Sequence, residues 1–196
     1  MSTTEIVAAL LGVANIALLV RRSIWNYPFG LVMVVLYGFV FFRARLYSDT
    51  ILQAYFFVVQ LYGLWNWLHG RNDDGLVRVE TMSPRERALW SAATLAAALA
   101  IGWFFSTYTN AAAPWLDATI AAMSVTAQVL LSLRRIENWI LWIAADIIAV
   151  GLYFWKGLYP TTALYAVFLA FSVAGLLAWQ REQRAHGAVN ALETLA

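Results

Sequence analysis

Residues 137–146 read ENWILWIAAD and combine an amide, two tryptophans and a carboxylate within one apolar run. At 100° per residue, Trp139, Trp142 and Asp146 fall on one helical stripe, with Asn138 at its edge. A carboxylate in contact with lipid is energetically costly, so this stripe is expected to face protein or a cavity. The segment therefore predicts a transmembrane helix that lines the path of a small molecule.

The composition of the whole chain is that of an integral membrane protein. Of its 196 residues, 62% are hydrophobic and 12% are charged, whereas soluble domains are about 25% charged. The chain has no cysteine, which excludes disulfides and thiolate metal sites, and it has only two histidines. The net charge of +2 is too small to indicate a nucleic-acid partner. We expect no cofactor and no metal.

Apolar runs close to the roughly 20 residues needed to cross a bilayer recur along the chain, and they predict an all-α fold with seven transmembrane helices. No basic segment precedes the first run, so we interpret it as a retained span and not as a cleaved signal peptide. The predicted spans are approximately 4–20, 25–42, 49–68, 88–108, 115–133, 138–155 and 161–180.

Positive charge is unevenly distributed over the ends of these spans. Ten cations lie on the side of the C-terminus and three on the opposite side. By the positive-inside rule, this predicts an extracytoplasmic N-terminus and a cytoplasmic C-terminus. The ten are Arg21, Arg22, Arg71, Arg78, Arg85, Arg87, Arg134, Arg135, Arg181 and Arg184, and the three are Arg43, Arg45 and Lys156.

An internal repeat aligns residues 112 positions apart without a gap. Four spans separate equivalent spans, so both repeats keep the same topology, as in parallel-repeat transporters. The predicted domains are a first three-helix repeat (1–68), a cytoplasmic loop (69–87), a linker helix and loop (88–114), a second three-helix repeat (115–180) and a cytoplasmic tail (181–196). The matched pairs include Arg22 with Arg134, Asn26 with Asn138, Phe41 with Tyr153, Phe56 with Phe168, Gly63 with Gly175 and Trp67 with Trp179.

Asp146 is the only acid well inside a predicted span, and no lysine or arginine lies within a span to pair with it. An intramembrane acid is a functional candidate that can bind a cation or relay a proton, and a structural hydrogen bond is the alternative. Gln53 and Gln60 share one face of the third span, and Tyr165 and Ser172 share a face of the seventh. Such groups can contact a substrate or bond to neighbouring helices.

Most of the ten tryptophans lie near span ends, where an aromatic belt at the membrane interface is expected. Trp139 is compatible with that belt. Trp142 lies one turn deeper on the face of Asp146, which favours stacking on a ligand. Two indoles beside an acid suit a flat aromatic ligand, especially a cationic one.

Several motifs resemble the PnuC family of bacterial nicotinamide riboside transporters over approximately Trp25 to Trp179. They are WNYPFG at 25–30, LYGLWNW at 61–67, ENWILW at 137–142 with Asp146, LYFWKGLY at 152–159 and ALY at 163–165. The resemblance implies a 3+1+3 fold similar to SWEET sugar transporters: two parallel three-helix repeats joined by a linker helix. It also implies a multi-pass homotrimer in the bacterial inner membrane, with facilitated diffusion drawn inward by cytosolic phosphorylation of the substrate.

The same resemblance implies which residues bind the substrate. In the family, the W-x-x-W of this helix and nearby polar residues hold it. Here these match Asn138, Trp139 and Trp142, joined by Asp146, Gln53 and Gln60, and Tyr165 completes the predicted set.

The sequence leaves alternatives open for both the substrate and the class of protein. Similar carriers transport thiamine, riboflavin or nucleosides. Nicotinamide riboside and thiamine carry a ring cation that suits an indole–carboxylate pocket, whereas riboflavin is larger and neutral. An intramembrane enzyme using Asp146 as acid or base lacks a second catalytic group at that depth. A structural or sensory subunit without a path is the third possibility. We predict a small-molecule transporter in the lipid bilayer and not an enzyme.

Overall fold

The computed structural model describes residues 3–70 and 77–193, and seven α-helices form most of this part of the chain. The predicted all-α class is therefore confirmed. The helices are α1 (Thr3–Val20), α2 (Asn26–Arg43), α3 (Tyr47–His69), α4 (Pro84–Tyr108), α5 (Pro114–Ser132), α6 (Asn138–Trp155) and α7 (Tyr159–Glu193).

Five of the helices in these described ranges are long and apolar enough to cross a membrane, judged by length and composition. They are α2, α4, α5, α6 and the Tyr159–Ala185 part of α7. Helix α1 contributes the shorter apolar stretch Ile6–Val20. Helix α3 is about 35 Å long, but Gln53, Gln60 and Asn66 lower its mean hydropathy. The helices support a multi-pass membrane protein.

Helix α4 begins at Pro84, several residues before the start expected from the apolar pattern, because a capping box precedes it. The Ser83 hydroxyl accepts a hydrogen bond from the Glu86 amide at 3.3 Å. In return, the Glu86 carboxylate accepts one from the Ser83 amide at 2.7 Å. This reciprocal pair satisfies amides that a helix start otherwise leaves unpaired, and proline suits the first helical position.

Helix α7 continues to Glu193, beyond the expected end of the span at Gln180. The added segment has no proline and is rich in alanine, arginine, glutamine and glutamate, which favour helix. Within the predicted loop 69–87, residues 71–76, including Arg71, lie outside the described residues. Residues 194–196 of the predicted tail do so as well.

The turns that flank α2 and α6 share an unusual backbone conformation. Among the described residues, four have positive φ, and they form two pairs 112 positions apart. Arg22 (56°) matches Arg134 (61°) before the helices, and Arg45 (61°) matches Gly157 (72°) after them. Helices α2 and α6 also begin and end 112 positions apart.

The chain divides into two compact units. The first contains α1, α2 and α3 with the segment Leu131–Arg134, and α2 packs against both α1 and α3. Tyr27 packs edge-on against Trp67, with ring centroids 5.3 Å apart and planes at 86°. A Cβ at Gly63 would lie 2.5 Å from the Tyr27 hydroxyl oxygen, so this close packing requires glycine.

The second unit contains α4, most of α5, α6 and α7. Helix α6 packs against α7, and a 2.8 Å hydrogen bond between the hydroxyls of Thr94 and Thr126 joins α4 to α5. Trp139 packs edge-on against Trp179, with centroids 5.5 Å apart and planes at 89°. This arrangement matches the Tyr27–Trp67 pair of the first unit, 112 positions earlier.

Candidate functional site

Helices α6 and α7 meet through three layers of paired side chains, which we call the α6–α7 ladder. The layers are Trp139–Trp179, Asp146–Ser172 and Tyr153–Tyr165. Successive members are seven residues apart on each antiparallel helix. Seven residues are about 10.5 Å of helix. A hydrogen-bonded acid therefore lies midway between two aromatic layers.

Asp146 forms the middle layer and is 4% exposed. Its Oδ2 accepts a hydrogen bond of 3.0 Å from the hydroxyl of Ser172, which is also buried. No cation of the described residues lies within ion-pair distance of this carboxylate, and Oδ1 receives no hydrogen bond from them. A carboxylate desolvated to this degree is favourable only with a partner, so Asp146 is suited to bind a cationic or hydrogen-donating ligand.

Trp142 lies one turn before Asp146 on α6 and is half-buried. No aromatic ring of a described residue stacks on its indole. The indole and the carboxylate project from neighbouring positions of one helical face, because residues four apart lie about 40° apart around the axis. This pair can hold a flat ring by stacking and a positive charge by ion pairing.

Trp139 and Asn138 begin α6 and are both 0% exposed. The Trp139 indole packs on Trp179, and a Cβ at Gly175 would lie 2.5 Å from the same indole. The Trp139 ring is therefore enclosed by the protein and packs in the contact between α6 and α7.

Three polar atoms at this end of α6 are buried without a hydrogen-bond partner among the described residues. They are the Glu137 Oε2, the Asn138 Oδ1 and the Trp139 Nε1. The Asn138 amide nitrogen, in contrast, donates to the Arg135 carbonyl at 2.6 Å. Buried polar groups are normally satisfied, so two acceptors and one donor at the start of α6 are available to a ligand or to water.

Tyr165 packs against Tyr153 in a tilted arrangement, with centroids 5.1 Å apart and planes at 31°, and it meets Phe168 edge-on at 5.8 Å. Tyr153 is two turns beyond Asp146 on the same stripe of α6. The predicted site residue Tyr165 is thus part of the ladder.

Gln53 and Gln60 belong to the first unit. Gln60 is buried, and its side-chain oxygen and the Asn15 side-chain nitrogen fill the space that a Cβ at Gly30 would need. The Asn15 side chain donates to the Asn26 carbonyl at 2.6 Å. Gln53 is half-buried, and its Cβ lies 3.5 Å from the position of a Cβ at Gly38.

The two units therefore differ in chemistry at equivalent positions. Gln60 occupies the position equivalent to Ser172, and Val34 the position equivalent to Asp146, each 112 residues apart. The first unit thus has a valine and an amide where the second has an acid and a hydroxyl. No group of three or more acidic or histidine side chains that could hold a metal is found within residues 3–70 and 77–193.

A network of charges holds the turn that precedes α6. Glu137 Oε1 accepts hydrogen bonds from the Met82 amide at 3.0 Å and from the Arg87 guanidinium at 2.9 Å. Arg135 pairs with Glu80 at 3.0 Å and with Glu86 at 3.3 Å. These contacts connect α4 to the start of α6. The sequence analysis missed them because their partners are about 50 residues apart and follow no local pattern.

Residues 2–181 match the family described as nicotinamide mononucleotide transporter. The nicotinamide riboside transporter PnuC of Escherichia coli K12 is 26% identical over 95% of this chain and 89% of its own length. PnuC of Neisseria mucosa is 30% identical, covering 92% of this chain and 73% of its own. The riboflavin/roseoflavin transporter RibM of Streptomyces davaonensis is 29% identical, covering 92% of this chain and 86% of its own.

A solved structure is also similar. The crystal structure of the vitamin B3 transporter PnuC aligns with a TM-score of 0.74 at 28% identity, covering 92% of this chain and 81% of that one. The family match extends over nearly the whole chain, and the helices that form the ladder lie within it. The chain belongs to the nicotinamide mononucleotide transporter family and is a membrane transporter, not an enzyme.

Proposed function

We propose that this protein carries nicotinamide riboside, a precursor of NAD, across the bacterial inner membrane by facilitated diffusion. The observation that carries the proposal is the buried carboxylate of Asp146, which has no cationic partner among the described residues and lies one turn from the unstacked indole of Trp142. The nicotinamide ring of the riboside is flat, aromatic and positively charged. It can therefore stack on the Trp142 indole and pair with the Asp146 carboxylate. Each cation–π contact contributes about 0.5–2 kcal/mol, so several contacts are needed for micromolar affinity.

The other predicted site residues have distinct proposed roles. Asn138 Oδ1 is a buried acceptor for a substrate amide or hydroxyl group, and Trp139 Nε1 is a buried donor. Gln53 and Gln60 supply amides for the ribose hydroxyls, and Tyr165 extends the aromatic surface.

Riboflavin is the second candidate, because a riboflavin/roseoflavin transporter is as similar to this chain as the nicotinamide riboside transporters are. Riboflavin is neutral, so it does not need a buried carboxylate. Thiamine is a cation and is the third ligand to compare.

Binding to the purified protein tests the substrate. Calorimetry with nicotinamide riboside, thiamine and riboflavin is expected to give micromolar affinity for nicotinamide riboside and weaker binding of the other two. Tight binding of riboflavin or thiamine alone would overturn the substrate assignment. Counterflow of labelled substrate in liposomes tests transport. An imposed pH gradient is expected to drive no accumulation, because no acidic or basic side chain of the described residues contacts Asp146.

We further propose seven spans in a 3+1+3 arrangement, with the N-terminus outside and the C-terminus in the cytoplasm. The matched turns at Arg22 and Arg134 and at Arg45 and Gly157 support two repeats. Because the chain contains no cysteine, single cysteines report topology without background. A cysteine at position 184 is expected to react with a membrane-impermeant maleimide only after the cells are opened, and one at position 45 in intact spheroplasts.

The remaining proposals concern assembly and direction. We propose a homotrimer in which each protomer has its own path, and inward flux maintained by cytosolic phosphorylation of the imported riboside. Light scattering of the purified protein in detergent measures the oligomeric state. Deleting the cytosolic riboside kinase is expected to abolish accumulation but not counterflow, which separates trapping from transport.

A further inference from the structure

At the C-terminal end of α6, a carboxylate, an aromatic ring and a lysine lie close together. The Lys156 ammonium group is 3.4 and 3.5 Å from the two carboxylate oxygens of Asp117, on α5. It also lies over the ring of Tyr153, 5.9 Å from the centroid. The protein thus places its own cation on a carboxylate and an aromatic face.

The same two groups, a carboxylate and an aromatic face, make up the proposed substrate site around Asp146 and Trp142. Tyr153 is two turns, about 10.5 Å, from Asp146 on the same stripe of α6. The ring of Tyr165 packs against the Tyr153 ring at a tilt of 31°, with centroids 5.1 Å apart. The aromatic layer beside the Asp117 carboxylate therefore lies between it and the Asp146 carboxylate along α6.

We propose that Asp117, Tyr153 and Tyr165 form a peripheral capture site for the cationic substrate, which Lys156 occupies until the substrate displaces its ammonium group. The inference rests on the proposed function, since it requires a cationic substrate. We call these groups the Asp117 site.

The exposure and the geometry of the ion pair make displacement feasible. The side chain of Asp117 is 43% exposed and that of Lys156 is 23% exposed, so water screens their attraction. The distances are long for a charge-assisted hydrogen bond, which is usually about 2.7–2.9 Å. Lysine also has a long flexible stem that lets the ammonium group move into water. Lys156 is therefore an internal competitor of moderate strength.

Substitutions of the two partners are expected to have opposite effects. Lys156→Met removes the competitor and should lower the KM for uptake of nicotinamide riboside into liposomes by about two- to fivefold, the factor that an exposed ion pair supplies. Asp117→Asn removes the attraction and leaves the lysine unpaired, so it should raise the KM by a similar factor. If the ion pair served only to stabilise the fold, both substitutions would impair uptake.

Arg43→Met is the matched control. Arg43 ends α2 as a cation over an aromatic ring, with its Cζ 4.6 Å from the centroid of Phe39, and it has no ion pair with a described carboxylate. Its loss removes the same charge from the equivalent helix end and should leave the KM unchanged. The neutral dihydro form of nicotinamide riboside should not respond to Lys156→Met.

Each outcome is decisive. A wild-type protein that does not take up nicotinamide riboside overturns the proposed function, and the inference with it. Uptake by the wild type with an unchanged or raised KM in Lys156→Met overturns the inference alone. A fall in KM that Arg43→Met reproduces, or that the neutral riboside shares, overturns it as well, since the effect would then not arise at the Asp117 site.

Discussion

The hydroxyl of Ser172 donates a hydrogen bond to the carboxylate of Asp146 across 3.0 Å, and both side chains are buried. One serine is a modest partner for a buried acid, because a neutral hydroxyl orients the carboxylate without neutralising it. The pair lies between two aromatic layers of the α6–α7 ladder. It therefore holds the Asp146 carboxylate in one orientation, as the proposed binding of a cationic substrate requires.

Replacing Asp146 with asparagine is expected to raise the Kd for nicotinamide riboside by about ten- to a hundredfold, because a contact with a charged group is lost. The neutral dihydro riboside should bind equally well to both proteins. The Tm should stay the same or rise, since a buried charge has been removed. Calorimetry and thermal unfolding measure the two effects, and an unchanged Kd for the cation would contradict the assignment.

Ser172→Ala tests the orienting role of the hydroxyl. The charge of Asp146 remains, but its direction is no longer held. We expect the Kd for nicotinamide riboside to rise by about two- to tenfold, in line with about 0.5–1.5 kcal/mol for one hydrogen bond. A loss as large as that of Asp146→Asn would mean that Ser172 itself contacts the substrate.

Trp142→Ala is expected to weaken binding of nicotinamide riboside and to reduce counterflow. One cation–π contact corresponds to about 0.5–2 kcal/mol, or roughly two- to thirtyfold in Kd. Trp25→Ala is the control, because Trp25 is 65% exposed at the start of α2 and lies in the expected interface belt. Equal losses in the two variants would refute a stacking role for Trp142.

Gly175→Ala is expected to lower the Tm, because the added methyl group would lie 2.5 Å from the Trp139 ring. Overpacking of this kind costs about 1–3 kcal/mol. Gly151→Ala is matched to it, since nothing lies within 4 Å of a Cβ there. In that case the gain in helix propensity, up to about 1 kcal/mol, should leave the Tm unchanged or higher. Thermal unfolding in one detergent compares them, and a Tm retained in Gly175→Ala would show that Trp139 can move.

Glu137→Gln is expected to destabilise the start of α6 by about 1–3 kcal/mol. The Glu137 carboxylate accepts hydrogen bonds from the buried amide of Met82 and from the guanidinium of Arg87. Arg85→Gln provides the comparison, because Arg85 is exposed on the first turn of α4. Denaturant-free thermal scans at low and high salt separate the two variants. A Tm of Glu137→Gln equal to that of Arg85→Gln would rule out a supporting role for the network.

The sequence predicted the parts of the structure that depend on local pattern. The bounds of α6, Asn138 and Trp155, follow from its apolar run, and the 112-residue offset anticipated the matched ends of α2 and α6. The apolar pattern alone does not reveal that α4 starts at Pro84. The capping-box spacing of Ser83 and Glu86 is the sequence signal that indicates this start.

The sequence could not predict that Trp139 is fully buried while Trp142 is only half-buried. Trp139 and Trp142 lie on one stripe, and periodicity cannot tell which one the protein covers. The outcome depends on Gly175, which leaves room for the Trp139 ring, and on Trp179, which packs against it. Both residues are on another helix. The Glu137–Arg87 pair is similarly beyond sequence reasoning, since tertiary packing brings its members together.

The left-handed turn at Arg45 has a consequence for how the protein is made. A side chain at φ 61° is strained by about 1–2 kcal/mol relative to glycine, which occupies the equivalent position at Gly157. Arg45→Gly should therefore relax the turn. The same substitution would delete a positive charge that opposes the overall charge bias of the helix ends. Relief of backbone strain and the charge bias that guides membrane insertion thus favour the same substitution at one residue, and a variant improved for purification should keep its biosynthetic yield.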